Sequence, residues 1–411
     1  MKEESRPKAV PSTATVGPLD RHLPVFVHRM TQQGYCASSL KPKIVVMNRF
    51  NRWLASRGLA LADLHEQTVI AFFKESSRPG RVRRGDHAGL LMLLDYLRQV
   101  GAASSPPPEL RTSTWHSTVE GFARYLRQER RLSEASVLTY LRIAELFFSE
   151  TANKQSETEC DLSPRKITGF ICKAARSVSP RYAQLMTCAL RSLFRFLFID
   201  GKISDDLSLC VPTVAEWKLS TLPKFLEPAQ VEDILAAIVP DAEIRKRDRA
   251  ILLLLARLGL RACEIVGMEL DDIHWDLGQL TVRGKGGKQS RLPIPQDVGE
   301  ALAEYLLNGR PRCATRRVFI RAKAPRQGFA GSVAVCDTVR RALSRAGLSP
   351  PRKGAHLLRH SLAVRMLRSG ATLNEIAEVL RHCSPTTTEI YTKVDLNMLA
   401  PLAQPWPGGG A

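Results

Sequence analysis

The sequence predicts a mainly α chain of several domains with one small antiparallel β-sheet in its last part. Three observations carry this. Amphipathic helical patterns, separated by short polar turns, recur along most of the 411 residues. A single stretch, "GQLTVRGKGGKQSRLPIP" (278–295), has β-rich arms around Gly-Lys-Gly-Gly-Lys and reads as a hairpin. Two proline-bearing breaks, "SSPPPELRTS" (104–113) and "CVPTVAEWKLSTLP" (210–223), cut the helical patterns into three pieces.

Residues 1–18 lack the apolar core of a signal peptide and are expected to be a disordered lead-in. Residues 19–103 form a first helical domain, 104–113 a linker and 114–205 a second helical domain. The two domains look like one design used twice. "LPVFVHRMTQQGYCASSLKPKIVVMNRFNRWLASRG" and "VEGFARYLRQERRLSEASVLTYLRIAELFFSET" each give a helix, a polar turn and a second helix. Ser38 or Ser39, and Ser133, are suited to cap those second helices. Phe147, Phe148, Phe194, Phe196 and Phe198 are expected to fill a core.

After a linker at 206–221, residues 222–400 form a third domain and 401–411 a tail. "FLEPAQVEDILAAI" opens it, with Pro228, Glu232 and Asp233 suited to a helix start. "RDRAILLLLARLGLRACEIVGMEL" predicts two helices meeting at Gly259. "RRVFI" (316–320) is a candidate third strand beside the hairpin, and helical pattern returns from Val333.

Lys and Arg number 60 and Asp and Glu 40, for a net charge of +20. Residues 1–221 hold 32 basic and 21 acidic side chains, and the remainder 28 and 19, so both parts are basic. Two basic globular parts suggest a clamp around a polyanion such as nucleic acid. No run approaches the roughly 18 apolar residues of a membrane span, so no membrane association is expected. The nine cysteines form no CxxC pair and no zinc spacing. They are expected to be reduced, mostly buried thiols in a cytoplasmic protein.

Polar residues at element junctions of the third domain carry the chemistry. "LGLRACEI" places Arg261 after a glycine, with Glu264 one turn on. The hairpin tip offers Lys285 and Lys288. "HLLRHSLA" places His356 and Arg359 three apart on one helix face. "LRHCSPTTTEIYTKV" adds His382 and Tyr391. Taken singly, each has an ordinary structural use. Together they suffice for phosphodiester transfer. Guanidinium forks match phosphate oxygens, a lysine can protonate a departing alkoxide, histidines move protons near neutral pH, and a phenol can attack phosphorus. No aspartate cluster suits magnesium, so no metal or other cofactor is expected.

In order, these blocks resemble the signature blocks of the tyrosine recombinases, or phage integrases, over about 226–394 plus the helical domain before it. The resemblance implies a tyrosine-recombinase catalytic domain joined to helical DNA-binding domains and closing as a clamp on DNA. It implies Tyr391 as the nucleophile of a 3′-phosphotyrosine intermediate. Arg261 and Arg359 would grip the phosphate, Lys285 would protonate the leaving 5′-oxygen, His356 would accept the tyrosine proton or assist its transfer, and His382 would bond the phosphate. Glu264 would order the site from behind, and Lys288 would contact the DNA backbone. Partners implied are double-stranded DNA at specific sites and a homo- or hetero-tetramer on it, in the bacterial cytoplasm and on the nucleoid when bound. Integration or transposition of a mobile element is the expected setting, with neither metal nor ATP.

Two departures stand out. The family usually has glycine where Arg381 precedes His382, and a side chain there is a candidate phosphate contact or an altered packing. The extra helical domain at 19–103 would lengthen the DNA footprint or bind a partner recombinase, a layout similar to recombinases that act in trios on mobile elements. Two alternatives share these features: a type IB topoisomerase, and a DNA-binding accessory protein with a decayed site.

Overall fold

The computed structural model describes residues 17–76, 84–104, 115–151, 162–215, 222–284, 287–382 and 387–394. The chain divides into two compact units, one made of residues 1–104 with 221–411 and the other of 105–220.

The first unit opens with four helices, α1 (Leu23–Gln32), α2 (Ala37–Arg57), α3 (Glu66–Ser76) and α4 (Arg84–Gln99). They enclose a core of Phe26, Met30, Met47, Phe50, Phe72 and Leu93. Apolar residues at helical spacing produce this, since each amphipathic helix must bury one stripe. The N-cap of α2 is Cys36. Ser38 and Ser39, expected as caps, lie in the first turn with their hydroxyls 3.1 Å from Cys36 Sγ. Helix α2 stops where Gly58 turns left-handed at φ +64°, and Leu59 N–H reaches back to the Leu54 carbonyl.

The second unit holds α5 (His116–Gln128), α6 (Glu134–Thr151), α7 (Pro164–Ala175) and α8 (Pro180–Ile199). Ser133 sits just before α6, and its carbonyl accepts from Val137 N–H at 3.0 Å. Phe147, Phe148, Phe194 and Phe196 are core residues. Phe198, expected with them, is 43% exposed because it lies off the buried stripe of α8.

The remainder of the first unit begins with α9 (Pro228–Ala236), whose proline stands in the first turn. Helix α10 (Glu243–Arg257) is buried continuously from Ala250 to Ala256 and packs against its neighbours as the central element. It ends at Gly259 (φ +56°), and α11 (Ala262–Gly267) follows. Then come β1 (Ile273–His274), β2 (Gln279–Arg283), β3 (Gln289–Pro293), α12 (Gln296–Asn308), α13 (Val333–Arg345), α14 (Ala355–Arg368) and α15 (Leu373–Val379). The sheet is antiparallel in the order β1-β2-β3, with Leu280 opposite Leu292 and Val282 opposite Ser290. Its third strand is β1, not 316–320. That segment makes only isolated bridges, Arg317 to Glu269 and Ile320 to Gly328. The Arg317 guanidinium instead bonds the Gly267 carbonyl and faces Glu269.

Among the described residues no helix is long and apolar enough to cross a membrane. The expectation of buried cysteines is overturned. Cys36, Cys172, Cys188 and Cys263 are exposed, and Cys210, Cys313 and Cys336 partly so. Cys172, for example, follows the buried pair Phe170 and Ile171 and falls on the outer side of α7. Cys160 and Cys383 lie outside the described residues.

Candidate active site

Three parts of the chain converge on one cluster: the turn from α10 to α11, helix α14, and residues 380–382 after α15 together with the 3₁₀ turn Glu389–Val394. Gly259 permits the first two to meet. A Cβ there would stand 2.7 Å from Leu380 Cδ2 and 2.9 Å from Leu362 Cδ2, and its φ is one that side chains rarely adopt.

Arg261 is the residue before α11. Its backbone N–H donates to Glu264 Oε2 and its Nη1 to Glu264 Oε1, both at 2.8 Å, while Nη2 donates to the Arg381 carbonyl at 3.0 Å. Glu264 is buried, so both its oxygens are spent on aiming cations. Arg359, on α14, is 3% exposed. Its Nη1 donates to the Gly259 carbonyl and its Nη2 to the Leu380 carbonyl. The two arginines thus reach the adjacent carbonyls of Leu380 and Arg381. Burial and then the neighbouring Arg261 and Arg381 lower the Arg359 pKa to about 10.

Tyr391 is 1% exposed and packs against Leu362, Ala363, Ile376 and Leu380. Its Oη lies 2.8 Å from His360 Nδ1. Burial pushes its phenol up to about 12, with Arg359 pulling the other way. Burial, then His356 and Arg359, hold His360 down at about 4. His356 stands one turn before it, ring centroids 6.2 Å apart, and is also lowered by burial and then by Arg359. His382 Nδ1 meets Thr388 Oγ1 at 2.7 Å, and burial followed by Arg359 depresses it to about 4.

The structure therefore brings together Arg261, Glu264, His356, Arg359, Arg381, His382 and Tyr391. Lys285 lies outside the described residues. Lys288 is exposed at the hairpin, where its carbonyl accepts from Gly284 N–H at 2.8 Å. Arg381 holds φ +54° and turns inward. Its side chain is 9% exposed; Nη1 donates to the Val379 carbonyl at 2.8 Å and Nη2 to Glu264 Oε2 at 3.1 Å, while Nε is buried with no partner among the described residues. It thus shares Glu264 with Arg261. His360 went unnamed in the sequence reading. Its signal was the four-residue spacing from His356, which puts both rings on one face of α14.

Beside His356 and His360 a cavity of about 840 Å³ opens, walled by Lys224, Arg340, Arg352 and Lys353 and floored by Leu357 and Ile390. Among the described residues no group of three or more His, Cys, Asp or Glu is placed to hold a metal ion.

A helical fold that gathers arginines, histidines and a tyrosine around α14 suits the tyrosine recombinase class. Residues 224–398 match the phage integrase family and 119–201 match the phage integrase N-terminal SAM-like domain. A relative from Sinorhizobium fredii named as an integrase/recombinase, y4rA, is 39% identical over 95% of this chain and 95% of its own. Tyrosine recombinase XerD of Listeria innocua is 31% identical over 67% of this chain and 93% of its own. The chain belongs to the phage integrase family and is a site-specific tyrosine recombinase. Its fold is shared with XerH bound to a palindromic difH substrate (TM-score 0.57, 20% identity, 84% of this chain and 98% of that one). A lambda integrase dimer bound to a core site also shares it (TM-score 0.52, 17% identity, 72% and 98%).

Proposed function

We propose that the protein cleaves and rejoins DNA at specific sites through a 3′-phosphotyrosine at Tyr391, and so moves the ends of a mobile element. The observation that carries this is the 2.8 Å contact between Tyr391 Oη and His360 Nδ1 beside two converging arginines. Arg261 and Arg359 hold the non-bridging oxygens of the scissile phosphate and offset the charge of the pentavalent transition state. Tyr391 Oη attacks phosphorus as its proton passes to His360, the P–O5′ bond breaks, and Lys285 protonates the leaving 5′-oxygen. His356, one turn away, relays the proton from His360. His382 bonds a phosphate oxygen once Thr388 releases it. A second DNA 5′-hydroxyl then attacks the phosphotyrosine, so the bond energy is conserved and no nucleotide is consumed.

Burial raises the phenol and lowers the imidazole, so complete proton transfer between them is unfavourable in the free protein. The proton therefore leaves as the O–P bond forms, when phosphate and arginines share the growing charge. Lys224, Arg340, Arg352 and Lys353 of the adjacent cavity suit flanking DNA phosphates. Exchange of two duplexes needs four cuts, hence four protomers, of this chain alone or with partner recombinases. The breadth of the match to the S. fredii integrase/recombinase supports integration as the setting.

The test is covalent trapping. Protein is incubated in EDTA with nicked duplexes spanning the ends of its own element, and denaturant-stable adducts are sought. Wild type should form an adduct and Tyr391→Phe none, with DNA binding retained. An adduct on Tyr391→Phe would sink the assignment.

A further inference from the structure

The four-helix module α1–α4 lies outside both family matches, and the XerD relative leaves about a third of this chain without a counterpart while nearly all of its own length is matched. That module is also the more basic of the two helical sets. Residues 17–104 hold 13 basic and 6 acidic side chains, a net +7, whereas residues 105–220 hold 16 and 13, a net +3. The excess concentrates on one element. Helix α2 carries Lys41, Lys43, Arg49, Arg52 and Arg57 and no acidic residue in 21 positions. The second helix of the other set, α6, carries Glu134, Glu145 and Glu150 against Arg142.

The charge on α2 is arranged. Lys41, Arg49 and Arg52 are spaced by eight and three, so they share one face, and all three are exposed. Among the described residues neither Lys41 nor Arg52 has an ion-pair partner. The opposite face supplies the core through Leu40, Met47, Phe50 and Leu54. A 21-residue helix is about 30 Å long, the length of roughly nine base pairs of duplex. Helix α2 therefore presents Lys41 and Arg52 as exposed cations with no carboxylate on the same helix, a surface that attracts a polyanion.

We propose that this solvent face of α2 is a second duplex-DNA-binding surface, gripping phosphates beyond those engaged by the parts that match the family. It rests on the recombinase reading for its choice of DNA as the polyanion. The contact is with the backbone and adds affinity with little sequence choice, because lysine and arginine at exposed positions meet phosphates first.

The experiment measures equilibrium binding of the full chain to a random-sequence 60-base-pair duplex between 50 and 200 mM salt. Lys41→Gln/Arg52→Gln is compared with wild type and with Arg21→Gln/Lys74→Gln, an equal charge loss at exposed positions on other elements. Loss of two phosphate contacts makes the log–log salt slope shallower by about 1.8, so the wild-type advantage shrinks about 12-fold across that range. The α2 pair should show this and the control pair should not. Equal slopes for all three proteins, or equal shallowing in both variants, would overturn the proposal. The same preparations enter the trapping assay at saturating protein. An adduct missing from wild type strikes at the recombinase reading, whereas the salt slopes judge α2 without any chemistry.

Discussion

Arg381 offers a sharp test because backbone and side chain can be varied apart. Its φ of +54° costs an ordinary L-residue about 1–2 kcal/mol. Arg381→Ala and Arg381→Gly both delete the guanidinium, its bond to Glu264 and its buried, unpartnered Nε. They differ only in that alanine keeps the left-handed strain. Glycine escapes the strain but gains unfolded-state freedom worth about 0.5–1 kcal/mol, so the glycine variant should be the more stable by about 1 kcal/mol. For a folding unit of this size that is about 2–4 °C in melting temperature. Glycine should also remain within about 2 kcal/mol of wild type. Glu264 keeps Arg261 as partner, and relief of the orphaned Nε offsets part of the lost bonds. The assay is thermal denaturation of the three full-length proteins at one pH. If the alanine variant melts with or above the glycine variant, residue 381 is not held left-handed and the placement of its guanidinium against Glu264 is wrong.

Other outcomes follow from the same cluster. His360 stays neutral in the folded state down to about pH 4, against about 6.5 unfolded. Its contribution is therefore complete above pH 6.5 and is lost as pH falls toward 4, about 3 kcal/mol in all. His360→Gln should flatten the acid limb of stability against pH, and parallel curves would refute it. Replacing His360 by Ala should slow adduct formation by about 10²–10⁴ while DNA affinity holds, read from single-turnover trapping. Glu264→Ala leaves the Arg261 and Arg381 guanidiniums without their shared anion and should destabilise the chain by about 3–5 kcal/mol, measured by denaturation. Gly259→Ala forces a methyl to within 2.7 Å of Leu380 at a positive φ and should both lower the melting temperature and abolish adducts.

Punctuation made most of the catalytic domain legible. Pro228 starts α9, Gly259 separates α10 from α11, and Gly287, at φ +76°, stands between the paired strands β2 and β3, each through a backbone constraint that acts locally. The misreadings concern what locality cannot reach. "RRVFI" has strand composition, yet its partner is settled by where Arg317 finds Gly267 and Glu269. β1 is two residues long, too short to leave a pattern. His360 matters through Tyr391, 31 positions away, and no spacing rule joins them. Arg381 was visible as a departure, but its direction depends on a left-handed backbone and on a carboxylate from another helix.

Arg359 has a consequence beyond its charge. Its two terminal nitrogens bond carbonyls from two remote stretches of chain, at Gly259 and at Leu380. The side chain that would face the phosphate also ties together the two stretches of chain that carry Arg261 and His382. Lysine, with a single point of attachment, keeps the charge and loses the fork. A lysine variant would therefore loosen the turn that carries Arg261 and the strap that leads to Tyr391. Substitution at this position is doubly constrained. A drift toward another cation would be felt first as architecture, before any DNA is bound.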